Sequence, residues 1–170
     1  MKLNLGSHEE DMRDAGYVNV DIERHPGVDV VADVGRLPFG DAAADEIYAS
    51  HILEHFGHRE VPTVLREWRR VLKRGGIMYL AVPDFAVAVR KYLKYGMIQW
   101  LTDFVWGGQE YPTAFHKAGY DARNMQSLLT ATGFGNASIV DVFPHKRQDC
   151  SGLRIRDTGE LVSLNAVVEG

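Results

Sequence analysis

A chain of 170 residues, 45% hydrophobic and 25% charged, has the length and composition of one globular domain. Its 19 basic against 23 acidic residues leave a net charge of -4, which argues against the basic surface of a nucleic-acid binder and for a small or neutral ligand. No apolar run reaches the roughly 18 residues of a membrane span, and the start, Met1-Lys2-Leu3-Asn4-Leu5-Gly6, turns polar too soon for a signal peptide. The single cysteine, Cys150, cannot form an internal bridge and suits a reducing, cytoplasmic setting.

Short apolar runs alternate with amphipathic stretches, the pattern of strand and helix units around a parallel sheet. Residues 2–6 predict a first strand, 17–22 a second, 28–33 a third, 45–50 a fourth and 77–82 a fifth, closed by Pro83, which cannot donate to a ladder. Only ten residues, Ser7 to Gly16, separate the first two strands, so the helix between them is expected to be short or irregular. Val61, Val64, Leu65, Trp68, Val71 and Leu72 recur at helical spacing, with Gly75-Gly76 as a left-handed stop. Arg69, Arg70, Lys73 and Arg74 at that helix end read as cations favoured by the dipole rather than as an anion site. Asp84 is expected to cap a helix through Leu93, and a second helical pattern runs from Met97 to Val105. Residues 107–119 are irregular and rich in aromatic and polar side chains, a binding-loop composition. Asp121 caps a further helix ended by Gly133, and late strands are expected at 137–143 and 161–168, joined by a polar connection.

Open parallel sheets bind ligands beyond the carboxyl ends of their strands. Gly6-Ser7 follow the first strand, Asp21 ends the second, Asp33 the third, Ser50-His51 the fourth and Pro83-Asp84 the fifth. A glycine in the first turn lets backbone approach a ligand, an acid after the second strand can accept both hydroxyls of a ribose, and one after the third can accept from an exocyclic amine.

Taken in order, Leu3-Asn4-Leu5-Gly6-Ser7, Asn19-Val20-Asp21-Ile22, Val31-Ala32-Asp33 with Leu37-Pro38-Phe39, Ala49-Ser50-His51-Ile52-Leu53-Glu54-His55 and Leu72-Lys73-Arg74-Gly75-Gly76 resemble the successive motifs of class I S-adenosylmethionine-dependent methyltransferases. More narrowly, they resemble type 11 members, especially small bacterial ones of glycan and lipopolysaccharide gene clusters. The resemblance implies a Rossmann-like α/β fold: a mostly parallel seven-stranded sheet of order 3-2-1-4-5-7-6, last strand antiparallel, flanked by helices. It also implies one domain over residues 1–170 without the N-terminal helices of many relatives, and a substrate-side insertion at about 96–119. The missing cover suggests an exposed sheet face or open site and a homodimer. S-adenosylmethionine is the implied cofactor, its methionine moiety against Gly6 and Ser7 and its ribose on Asp21. Ile22 would pack on adenine, Asp33 and the backbone of Val34 would meet its edge, and Ser50 and His51 would floor the sulfonium. The chain departs from the family in its first loop, Gly6-Ser7-His8-Glu9-Glu10, where further glycines are usual. His8 there would bring a Cβ and an imidazole towards the cofactor. Two readings follow: methylation of a saccharide or other small polar acceptor on oxygen, or a catalytically silent binding or scaffold domain with a degenerate loop.

Removal of the acceptor proton calls for a base, and His116 is the first candidate, followed by His51 and Asp84. Trp106, Gln109 and Tyr111 are candidates for stacking on or bonding to a sugar. His51-Ile52-Leu53-Glu54-His55 matches H-x-x-E-H, in which two histidines on one helical face bind zinc, but here the segment follows a strand and Gly57 and Pro62 limit any helix. A divalent ion held near a substrate hydroxyl by Glu54 and His55, as in some methyltransferase relatives, is set behind the reading in which these two organise the loop by hydrogen bonds. No metal is expected. No G-x-G-x-x-G is present, which argues against a nicotinamide enzyme.

Overall fold

The computed structural model describes residues 1–8, 10–135, 137–143, 152, 154 and 159–170. Most of the predicted polar connection, with Cys150, lies outside them, as does Glu9. One seven-stranded sheet has the order β3-β2-β1-β4-β5-β7-β6, formed by β1 (Lys2–Leu5), β2 (Tyr17–Asp21), β3 (Val30–Val31), β4 (Ala44–Ser50), β5 (Leu72–Pro83), β6 (Ala137–Val140) and β7 (Ser163–Glu169). Strands β1 to β5 pair in parallel, and β7 runs antiparallel between β5 and β6. Among the described residues four α-helices accompany it: α1 (Val61–Val71), α2 (Phe85–Tyr95), α3 (Gln99–Trp106) and α4 (Ala122–Ala131). Among the described residues no helix is long and apolar enough to cross a membrane.

Strand alternation sends Leu3, Leu5, Val20, Ile47, Ala49, Met78 and Leu80 into the larger core, where the buried stripe of α1 (Val61, Val64, Leu65, Trp68, Val71) and Met125 and Leu129 of α4 cover them. The opposite face carries Tyr17, Tyr48 and Tyr79. Met12 and Phe143 cover it, and all three rings are buried. The strand and helix periods were therefore enough to find the layers. Two details differ. The third strand shrinks to two residues at the sheet edge. Gly75 takes the expected left-handed φ of +75°, but inside β5, because the helix ends at Val71 and Leu72 is already extended. Around this helix end Arg70 pairs with Glu67 and Asp41, Lys73 with Asp45, and Arg69 donates to the Gly133 carbonyl, so these cations are structural.

Parallel strands normally need a crossover of a dozen or more residues, most often a helix. Between β1 and β2 there is only a single 3-10 turn, Arg13–Ala15, and the connection is tied down by side chains instead. Asn4 and Asn19, opposite in the β1–β2 register, are both buried; Asn4 donates to Asn19 at 3.0 Å and to the Glu10 carbonyl at 2.9 Å. The Asn19 amide in turn donates to Asp11 and to the Gly27 carbonyl, both at 3.0 Å. Asn19→Ala strands the Asn4 amide and the Gly27 carbonyl together, and is expected to cost about 2–3 kcal/mol in denaturant unfolding; a cost within error of zero would show that the loop is held otherwise.

Candidate functional site

At the carboxyl ends of the parallel strands a cleft of about 230 Å³ is lined by Gly6, Asp21, Ile22, Asp33, Val34, Ile52, His55, Phe56, Glu60, Thr113 and Lys117. Five of the eight residues expected at a cofactor therefore meet in one cavity. Gly6 is needed there for two reasons: its φ is +67°, and a Cβ on it would lie 2.7 Å from the Ile52 side chain. Asp21 is 8% exposed, and its carboxylate accepts from the His8 N–H at 2.8 Å and the Glu23 N–H at 2.9 Å. Each oxygen keeps a second lone pair for a ligand hydroxyl. Ile22 stands half exposed on the rim. Asp33 turns the chain by accepting from the Gly35 N–H at 2.8 Å, and the carbonyl of buried Val34 accepts from Trp68 Nε1 at 2.9 Å.

Ser7, Ser50 and His51 do not line the cleft. The Ser7 and Ser50 hydroxyls are nevertheless buried without a hydrogen-bond partner, and such groups are rare unless something meets them. Asp84 is spent on local structure, capping α2 by accepting from the Ala86 N–H at 2.9 Å. His8 adopts a φ of +43°, the left-handed region that a glycine would fill freely, while its exposed imidazole sits edge-on to His25 and outside the cleft lining. Its ring stands at the surface, while its N–H stays on the cleft residue Asp21.

Beside the cleft the H-x-x-E-H segment forms a bend and one 3-10 turn, Leu53–His55, rather than a helix. It surrounds Glu54, which is fully buried. His51 Nδ1 lies 3.4 Å from Glu54 Oε1 and His116 Nε2 lies 4.0 Å from it, but neither carboxylate oxygen is engaged in a hydrogen bond. Only the Glu54 backbone ties the loop, its carbonyl accepting from the Lys117 N–H at 2.7 Å and the Ala118 N–H at 3.3 Å. The expected loop-organising bonds are thus made by the main chain and by His55, not by the glutamate side chain. Burial opposes ionisation of Glu54, yet the neighbouring His51 and His55 outweigh it and hold its pKa below the usual carboxylate value. His51 is otherwise turned towards β7, with Nε2 2.7 Å from Ser163 Oγ. His55 and His116 pack edge to face at 5.0 Å, each with Nδ1 against a backbone carbonyl: Phe115 at 3.2 Å and Phe104 at 3.1 Å. Burial pushes the His116 pKa below the ordinary imidazole value, against an opposing pull from Glu54.

Of the lining residues absent from the sequence-based set, Ile52, His55 and Phe56 directly follow β4, so their position was readable. Thr113 and Lys117 carried no local signal; they arrive from an irregular segment some 60 residues later.

Residues 11–80 match the family model described as Methyltransferase domain. The match spans 70 of the 170 residues, and the sheet order is that of the class I methyltransferase fold. Solved structures with the same architecture include a SAM-dependent methyltransferase from Archaeoglobus fulgidus, 14% identical with a TM-score of 0.65 over 99% of this chain and 85% of that one. A SAM-dependent methyltransferase from Methanosarcina mazei is 16% identical, TM-score 0.64, over 99% and 91%. The 1,6-didemethyltoxoflavin-N1-methyltransferase of Burkholderia thailandensis, solved with bound 1,6-didemethyltoxoflavin and S-adenosylhomocysteine, is 14% identical, TM-score 0.61, over 99% and 69%. No curated protein matches the sequence. The cleft suits S-adenosylmethionine: bare backbone at Gly6, a carboxylate with spare lone pairs at Asp21, and two orphaned hydroxyls at Ser7 and Ser50. If the left-handed His8 is strained, His8→Gly should raise stability by about 1 kcal/mol in chemical denaturation. A stability loss of that size would show that the position is relaxed.

Proposed function

We propose that this domain transfers the methyl group of S-adenosylmethionine to an oxygen of a small polar acceptor, with a saccharide hydroxyl as the acceptor class. The observation that carries the reading is the meeting of Gly6, Asp21, Ile22, Asp33 and Val34 in one cleft whose wall includes His55. The S-adenosylhomocysteine bound in the Burkholderia neighbour supports the choice of cofactor. That cofactor supplies a methyl group on a cationic sulfur, already a good leaving group, so the protein's work is to orient the acceptor and take up its proton.

Asp21 accepts the ribose hydroxyls, Ile22 and Val34 flank the adenine and Asp33 meets its edge, while Gly6 and Ser7 face the methionine part. Ser50 and His51 support the floor from β4. His116 is the base. A carbonyl oxygen only accepts, so the contact to Phe104 places the proton on Nδ1 and leaves a lone pair on Nε2. The depressed pKa keeps the ring neutral at pH 7, and Glu54 at 4.0 Å favours the imidazolium once formed. Residues 96–119 supply the acceptor side, with Thr113 and Lys117 in the cleft wall and the exposed rings of Trp106 and Tyr111 offering faces on which a sugar can stack.

Calorimetric titration with S-adenosylhomocysteine tests the placement. Asp21→Ala removes a charged acceptor and should weaken binding about tenfold or more; unchanged affinity refutes it. His116→Ala should leave that affinity intact and cut kcat by about 10²–10⁴ against an acceptor found by screening sugars and nucleotide sugars. A variant with full turnover removes His116 from the chemistry, and a wild-type chain that shows no binding at millimolar ligand favours a silent binding domain.

A further inference from the structure

Glu54, His55 and His116 each offer a ligand atom, and these atoms all lie within 4.8 Å of one another. The two parts of the cluster are 61 residues apart in the chain and are joined by the Lys117 N–H to Glu54 carbonyl bond. Three features of this cluster are unaccounted for by the packing around it. The Glu54 carboxylate is sealed from solvent with His51 Nδ1 at 3.4 Å beside it, yet neither oxygen makes a well-formed hydrogen bond, although a buried carboxylate ordinarily collects several donors. Both histidines spend Nδ1 on a backbone carbonyl, which sets the tautomer and leaves the Nε2 lone pair as the free function. At His116 that lone pair faces Glu54 Oε1 across 4.0 Å, acceptor against acceptor, an arrangement that repels unless a cation lies between.

We infer that Glu54, His55 and His116 bind one divalent transition-metal ion beside the cleft. A second N–H held by a main-chain carbonyl is the support that orients metal-ligating histidines. Two imidazoles and one carboxylate form a three-ligand set that leaves a coordination position for water or substrate. Nitrogen donors select Zn²⁺, Co²⁺ or Ni²⁺ over Mg²⁺ and Ca²⁺, which prefer oxygen alone. A tetrahedral ion with bonds of about 2.0–2.1 Å holds its ligands about 3.3 Å apart, so the 4.0 Å gap closes by less than 1 Å.

His55 also lines the cleft, so the open position faces the place where the acceptor is read to bind. This consequence rests on the methyl-transfer reading; the binding of the ion does not. With the ion in place, His116 Nε2 is a ligand, so the base role given to it above belongs to the metal-free protein. The coordinated acceptor hydroxyl is acidified and releases its proton to solvent, and its oxygen forms the new bond to the methyl carbon as the sulfur–methyl bond breaks.

The test is titration of chelator-stripped protein with Co²⁺, followed by its visible absorption and by calorimetry, with Zn²⁺ as competitor. One Co²⁺ per chain with the bands of a nitrogen-ligated ion is expected, displaced by Zn²⁺ and not by Mg²⁺. His55→Ala and Glu54→Gln should each weaken binding at least tenfold, and His25→Ala should leave it unchanged. Because the buried Glu54→Gln variant may fail to fold, His55→Ala, on a half-exposed residue, carries the decision by itself. No saturable binding at one equivalent, or equal binding in wild type and His55→Ala, overturns the site. S-adenosylhomocysteine titrated in chelator separates the two readings: cofactor binding without metal binding removes only the ion, and metal binding without cofactor binding removes only the methyl transfer.

Discussion

The buried amide pair Asn4–Asn19 is the constraint on which the cofactor side of this domain depends. It joins β1 to β2 at the level just before both strands end, and it holds the connection that a helix would otherwise make. Gly6 and Asp21, which follow these two residues by two positions each, are brought to the same cleft by that tie. The same connection supplies the His8 N–H that fixes the Asp21 carboxylate. A polar pair inside a sheet costs desolvation, and here its bonds to Glu10, Asp11 and Gly27 offset that cost while tying down the connections on both sides of β2. The geometry of the cleft is thus a property of side-chain hydrogen bonds more than of helix packing.

The opposite wall obeys a different logic. Glu54 leaves β4 through a bend whose first residue, His51, has a left-handed φ of +54°, and the side chain is buried among imidazoles with no donor of its own. Its main-chain carbonyl receives Lys117 and Ala118, so the segment that carries His116 is anchored to the residue whose carboxylate lies 4.0 Å from His116 Nε2. Backbone bonding sets the distance; side-chain chemistry uses it. The surrounding histidines hold the Glu54 pKa below the usual carboxylate value against the penalty of burial.

Much of the fold was legible in the residues. The two-residue period of β1, β2, β4 and β5, the helical stripe from Val61 to Val71 and the caps at Asp84 and Asp121 are local patterns with local causes, and each appears where the spacing put it. The capping box of α4, with Asn124 answering Asp121, is a case in which chemistry three residues away decides a helix start. Boundaries were less legible. The third strand holds two residues because it stands at the sheet edge and pairs on one side only, and β5 begins as soon as α1 ends because Ala44 pairs with Leu72. The candidate site divides in the same way. Gly6, Asp21, Ile22, Asp33 and Val34 were readable because a parallel sheet places the ends of its strands side by side.

By itself, then, the sequence determined the layers, the strand order implied by its motif series and the residues that end each strand, since these follow from periodicities and turn chemistry over a few residues. Tertiary structure alone decided that Thr113 and Lys117 close the cleft, that His8 points to solvent, that Asp84 is consumed as a cap and that Glu54 lies unbonded between histidines. The physical reason is that such facts concern distances between segments far apart in the chain. Those distances are fixed only when the whole sheet, its loops and their buried polar groups settle together.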